Sequence, residues 1–263
     1  MMEKLYVGID LSLNSTGVTF LPQNGKTRYL SILNRWVFTS SPKKTYQQII
    51  DDSMLLSQLR DIDNLFMVMI DRKPLTDVKK IGLSPWGRLH LRNCILYSNL
   101  IAEHIERIIL DYYPGHQVHI GVEHYSLGSK DRGTNTMQLI EITSLLKARL
   151  IEKDMKRLED FHLFPGPTVK LKAGAGNFDK YMMLRAYTSN ATSPQDNLFE
   201  FISKNDFLCY TKKIKSKKQI IKANKKLGIE RKVVTVQIPV NDVLSPVSDI
   251  IDSWWVAYCI KTA

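Results

Sequence analysis

Short apolar runs fill the first part of the chain, and helical periodicity takes over after them. The stretch EKLYVGIDLS predicts a strand whose apolar residues lead into Asp10. NSTGVTFLPQNGKTRYLSILNRWVF predicts two more strands, turned at Asn24-Gly25, a pair that favours tight hairpins. Residues 45–60 read as a helix, and NLFMVMIDRKPL as another short apolar run. Ser84-Pro85 starts a long amphipathic helix and Pro114-Gly115 ends it. QVHIGVEHYS is the next strand, with Glu123 at its end. A second long helix is predicted over about 136–158, where apolar residues at 137, 139, 140, 142, 145, 146 and 150 keep helical spacing.

Further on, FHLFPGPTVKLKAG predicts a short strand running into a glycine-bearing loop. NFDKYMMLRAY follows as a helix with Asn177 as its N-cap. Residues 188–210 show no regular pattern, and RKVVTVQIPV fits either a strand or an extended arm. VSDIIDSWWVAYCIKT closes the chain as a helix capped by Ser248, with Trp254 and Trp255 anchoring it on a sheet. A three-strand meander followed by helix, strand, helix, strand and helix predicts an α/β fold, a mixed sheet with helices on its faces. There is no internal repeat.

Composition narrows the function. The 263 residues are 44% hydrophobic and 24% charged, the balance of a soluble globular protein. MMEKLYVGID lacks the apolar run of a signal peptide, and no stretch reaches the length of a membrane span. Cys94, Cys209 and Cys259 form neither a disulfide framework nor a metal motif, and the six histidines form no zinc pattern. His124 adjoins Glu123, but strand alternation turns it the other way. The expected setting is intracellular, the cytoplasm of a cell or of a host. Net charge is +11, and residues 211–232 hold ten Lys or Arg against Glu230 alone. Such a block is either a solvated surface or the footprint of a polyanion binder. Its apolar residues make no clear amphipathic stripe, which favours nucleic acid over a membrane surface.

Four acids stand out. Asp10 and Glu123 each sit where a buried strand stops, positions that also suit a solvated loop residue or a helix cap. Asp249 and Asp252 share one face of the last helix. Asp249 alone would suit a helix first turn. Asp252, among Ile250, Ile251, Trp254, Trp255 and Val256, needs a cation nearby, from Lys, Arg or a metal. Oxygen donors suit a hard divalent ion, and two such ions can drive in-line phosphodiester hydrolysis.

In order along the chain, YVGIDLSLNSTGV, HIGVEHYSLGSKDRGTNTMQLIEITSLLKARL, TVKLKAGAGNFDKYMM and SDIIDSWWVAYC resemble the motifs of RuvC-type Holliday junction resolvases. They cover about half the chain. The resemblance implies a ribonuclease H-like fold, with a mixed five-stranded sheet flanked by helices. Residues 1–263 would form one nuclease domain, with insertions at about 40–85 and, Lys-rich, at about 188–235. It implies a crossover junction endodeoxyribonuclease whose metal-binding acids are Asp10, Glu123, Asp249 and Asp252. Two Mg²⁺ ions per site are implied, with Mn²⁺ also supporting activity. Branched DNA is the implied partner and a homodimer the implied assembly, with helix 136–158 at its interface or simply packed on the sheet. Lys170 and Lys180 match lysines near DNA, with Lys172 competing because the spacing is one residue short. Tyr125 falls where the family places an aromatic near the junction centre. Lys130 and Arg132 in the same loop, and Lys212, Lys213, Lys215, Lys217 and Lys218 in the basic block, complete the DNA-binding set.

The long insertions mark a divergent, viral or phage, member, whose substrates extend to flaps and Y-forks. Two other readings stand beside it. GIDLSLNSTG also resembles the first phosphate motif of the actin-like ATPase superfamily, a phosphotransferase reading that lacks a second glycine-rich phosphate loop. A non-catalytic DNA-binding protein of the same fold is the other, though four acids near phosphate do not favour it.

Overall fold

The computed structural model describes residues 2–35, 46–70, 83–124, 134–153, 158–191, 196–205, 208–224 and 228–263. The strands are β1 (Lys4–Asp10), β2 (Ser15–Pro22), β3 (Arg28–Asn34), β4 (Leu65–Ile70), β5 (Gln117–His124), β6 (Leu158–Pro165), β7 (Cys209–Asn224) and β8 (Gly228–Val243). The described helices are α1 (Tyr46–Arg60), α2 (Leu83–Tyr112), α3 (Thr134–Lys153), α4 (Gly166–Ala173), α5 (Lys180–Asn190), α6 (Asn197–Lys204) and α7 (Val247–Lys261).

One mixed sheet runs β4-β3-β2-β1-β5-β6. The first three strands form the expected antiparallel meander, with Gly25 at φ +106° in the turn between β2 and β3. β5 then lies parallel to β1, with β6 parallel to β5. This is the ribonuclease H-like arrangement expected from the sequence, with six strands instead of five. The sixth, β4, is the run LFMVMI from the stretch expected as an insertion. α1 carries the chain back so that β4 pairs parallel to β3.

Helices cover both faces, which is why β1 to β3 are buried almost without alternation. On one face α2 and α3 set Ile101, Ile105, Ile142 and Leu146 against Val7, Val18 and Phe20. On the other, α7 lies directly on β1 and β2 because glycines leave it room. A Cβ at Gly8 would stand 2.1 Å from the carbonyl oxygen of Ser253, and one at Gly17 2.2 Å from that of Asp249. Thr19 Oγ1 and Ser253 Oγ, 2.8 Å apart, tie the same contact. Trp255 is fully buried and donates from Nε1 to the Met183 carbonyl at 3.2 Å, fastening α7 to α5. Among the described residues no helix is long and apolar enough to cross a membrane.

Local structure departs from the sequence reading in five places, the first being that α3 ends at Lys153 and β6 begins at Leu158, where the second long helix was expected to reach. After β6 the chain does not enter its loop directly. It forms α4, whose Pro167 suits a first helical turn. The cap of α5 is Asp179, which accepts from the Met182 amide at 2.8 Å, and not Asn177. Residues 188–210 are not wholly irregular, since α6 lies among them, capped by Asp196. α7 begins one residue before Ser248, and its N-cap position is Pro246 with no side-chain cap, so the Ser248 hydroxyl is free for other partners. The arm alternative for RKVVTVQIPV resolves to strand, within β8.

Candidate active site

The sheet topology gathers the four acids. Asp10 ends β1, and the parallel register pairs Ile9 with Val122, so Asp10 and Glu123 follow on adjacent strands. α7 crosses the same face, placing Asp249 over Gly17 and Asp252 nearly one turn further on. Asp10 and Asp249 are buried, and Asp252 keeps 17% of its side chain exposed. Glu123 fits because Gly166, at the start of α4, has no side chain: a Cβ there would lie 2.6 Å from Glu123 Oε1.

Lys180, the first residue of α5, reaches into this cluster. Its Nζ lies 3.3 Å from Asp249 Oδ1 and 3.9 Å from Asp252 Oδ2, and donates to Ser248 Oγ at 2.9 Å. Both oxygens of Asp249 are therefore held, Oδ1 by Lys180 and by Ser248 at 3.3 Å, and Oδ2 by the Ser245 hydroxyl at 2.6 Å. The other acids differ. Among the described residues, the carboxylates of Asp10 and Glu123 accept no hydrogen bond and have no cation within ion-pair distance, and Asp252 has only the long contact to Lys180.

The electrostatics follow from that shortage. Burial pushes the Asp10 carboxyl well above the usual range, and Glu123, Asp252 and Asp249 push it further, against the pull of Lys180. Burial likewise raises Glu123, opposed by Lys170 and Lys180. Asp252 is pushed up to about 7, by burial first, then against Lys180, by Glu123 and Asp249. For Lys180 burial works against the charge, but Asp249, Asp252 and Asp10 outweigh it and the ammonium pKa rises.

No protein-family model and no curated protein matches the sequence. Among solved structures, the chain is similar to RuvC of Thermus thermophilus at 13% identity, covering 76% of this chain and 89% of that one with a TM-score of 0.33. It is also similar to the yeast mitochondrial Holliday junction resolvase Ydc2 at 13% identity, covering 95% of this chain and 75% of that one with a TM-score of 0.34.

The remaining candidates divide clearly. Lys170 is half-buried and its charge acts on Glu123 and Asp252. Lys172, two residues on, acts on the Cys259 thiol instead. Tyr125, Lys130 and Arg132 lie outside the described residues, as does the side chain of His124. Lys212, Lys213, Lys215, Lys217 and Lys218 lie on β7, which pairs with β8 in a separate two-stranded sheet.

Sequence reasoning missed Ser245, Ser248 as a ligand of Lys180, and the three glycines that let the acids approach. Gly8, two residues before Asp10, and Ser245, four before Asp249, were visible only as spacing.

The donor set suits a hard divalent ion, because it is made of carboxylate oxygens and three of the four acids lack a hydrogen-bond donor among the described residues. There, no three such groups converge on one point. Among the described residues the four acids therefore form no ready-made metal cage.

Proposed function

We propose that this chain is a metal-dependent endonuclease that hydrolyses phosphodiester bonds in branched DNA, with four-way junctions as the first substrate class to test. The observation that carries the reading is the cluster itself. Four acids from β1, β5 and α7 meet Lys180 and Lys170 at one end of the sheet, and three of the acids have no hydrogen-bond donor among the described residues. A buried carboxylate without a partner is costly, so the site is built to receive positive charge.

In this reading Asp10, Glu123, Asp249 and Asp252 hold Mg²⁺, or Mn²⁺ in its place. When bound, such an ion would supply Lewis-acid stabilisation of the phosphate charge and a more acidic water. Ser245 and Ser248 orient Asp249 before anything binds. Lys180, with 43% of its side chain exposed, can turn from the acids to a phosphate oxygen. Lys170 adds a second positive charge on the Glu123 side. Asp252, whose carboxyl is raised to about 7 by burial and its acidic neighbours, would hold a proton part of the time near neutral pH. The buried tryptophans of α7 keep its other side dry.

A homodimer belongs to this reading, since two-fold cutting fits an isologous pair. On α3, Ile142, Leu146 and Leu150 pack into the core, which leaves the exposed side with Ser144, Ala148 and Ile151 for a second copy.

The test is a synthetic four-way junction incubated with Mg²⁺ and wild type, Asp10→Asn or Asp252→Asn. Wild type should cut, and each variant should lose roughly 10²–10³-fold in rate, the scale of removing one preorganised hydrogen-bond donor from an active site. Both variants should still bind the junction. Normal cutting by both variants would remove the carboxylate cluster from the mechanism.

A further inference from the structure

We infer that the β7–β8 ribbon is an arm that lies along duplex nucleic acid, and that only one of its two faces makes the contact, the face carrying positions 213, 215, 217 and 231. The inference takes from the proposed function only the class of polymer and does not depend on cleavage.

The backbone defines the arm. β7 and β8 pair antiparallel over their whole length, from Cys209↔Val243 to Asn224↔Gly228, without a register shift. At roughly 3.3 Å per residue each 16-residue strand runs about 50 Å. The ribbon joins no other strand among the described residues. Its root is fixed: Leu208 and Val243 are buried, the Leu244 amide donates to the Leu208 carbonyl at 2.9 Å, and Tyr210 donates to Asp242 at 3.2 Å. An isolated two-stranded hairpin is marginal in water, so an arm of this length is expected to rest on something.

Charge indicates what that is. Residues 209–243 hold ten Lys or Arg and two acids, a net +8 of the chain's +11. Register then separates the two faces, because alternate residues of a strand share one face. One face sets Lys213, Lys215 and Lys217 against Pro239, Gln237 and Thr235, with Arg231 opposite Ile221 further along. The other sets Lys212, Ile214, Ser216 and Lys218 against Val240, Ile238, Val236 and Val234, an aliphatic row, with Lys232 opposite Ile220 and Lys222 opposite Glu230 nearer the turn. Each face has four cations, but both acids, Glu230 and Asp242, fall on this second one.

Burying phosphate against aliphatic residues is unfavourable, so the first face is the one that suits a phosphate backbone. Its lysines recur every roughly 6.7 Å along the strand. That is about two phosphate steps of one duplex strand, each rising roughly 3.4 Å along the axis. A two-stranded ribbon is also narrow enough to enter a major groove.

The experiment measures binding of a fluorescent 30-base-pair duplex across a salt series in EDTA, so that cleavage plays no part. Two triple variants each remove three charges: Lys213→Gln, Lys215→Gln and Lys217→Gln together, and Lys212→Gln, Lys218→Gln and Lys222→Gln together. Arg231→Gln alone tests the first face should a triple variant unfold, which circular dichroism reports. The slope of log K against log salt should flatten by roughly 2–3 for the first triple, near 0.9 for each phosphate no longer neutralised. It should flatten by less than one for the second. Equal flattening by both would mean a diffuse charge cloud and overturn the face assignment. No change in either would remove nucleic acid as the partner. If the arm behaves as expected while wild type cuts no junction, the arm stands and the nuclease reading falls.

Discussion

Asp249 differs from its three neighbours because its oxygens are already held. Ser245 donates to Oδ2 at 2.6 Å, while Lys180 and Ser248 hold Oδ1. The Ser245 bond reaches the one oxygen that Lys180 and Ser248 do not hold, so it fixes the carboxylate's orientation. Ser245→Ala is therefore expected to slow junction cleavage roughly tenfold, equivalent to about 1.4 kcal/mol, with little change in the urea midpoint. Ser245→Thr keeps the hydroxyl and should recover most of the rate; a Thr variant as slow as Ala would argue against an orienting bond. Gly166 makes the complementary case. Adding one methyl would place a Cβ 2.6 Å from Glu123 Oε1, so Gly166→Ala should displace that carboxylate. Its effect should appear in cleavage rate and in the Mg²⁺ concentration needed for half-maximal rate. A wild-type Mg²⁺ dependence would mean that Glu123 is not crowded by position 166.

The elements tell how the acids are brought together. α7 settles onto β1 and β2 so closely that Gly8 and Gly17 admit no side chain, their missing Cβ atoms lying 2.1 and 2.2 Å from helix carbonyls. Gly8→Ala or Gly17→Ala must push α7 away from the sheet, at a cost of roughly 1–3 kcal/mol or more. Thermal unfolding should show the loss directly, and unchanged melting would contradict the packing. This contact also explains what could be read from the chain. Asp10 and Glu123 were legible because an apolar strand ends on a charge, and Asp249 with Asp252 because their spacing puts both on one helix face. α4 and α6 span only eight residues each, too few for periodicity to emerge. The cap of α5 was misplaced because Asn177 suits the role by residue type as well as Asp179 does, and only the Met182 amide chooses. The ribbon was hidden because alternating Lys and apolar residues fit a solvated strand as well as a disordered tail. β4 was visible as an apolar run, but its place beside β3 depends on the path of α1, which no local pattern encodes.

For the molecule as a whole, the acid cluster sets a dependence of stability on pH. Asp10, Glu123 and Asp252 all have folded-state pKa values above their ordinary ones, Asp252 at about 7. Between the ordinary carboxylate range and those raised values the folded chain binds more protons than the unfolded one, so stability must fall as pH rises. Asp196, raised mainly by burial, adds the same sign. His104, whose value burial lowers, adds the opposite one near neutrality. The cluster is therefore isolated by difference: in EDTA, wild type should be less stable to urea at pH 8 than at pH 5, and Asp252→Asn should flatten that decline. Mg²⁺ should restore stability mainly at pH 8, where the acids are ionised and a bound ion favours the folded state by mass action. A wild-type protein equally stable at both pH values, with or without Asp252, would mean that the carboxylates are not forced together in solution. An equal gain from Mg²⁺ in wild type and in the Asp10→Asn, Asp252→Asn double variant would place the ion elsewhere on the chain.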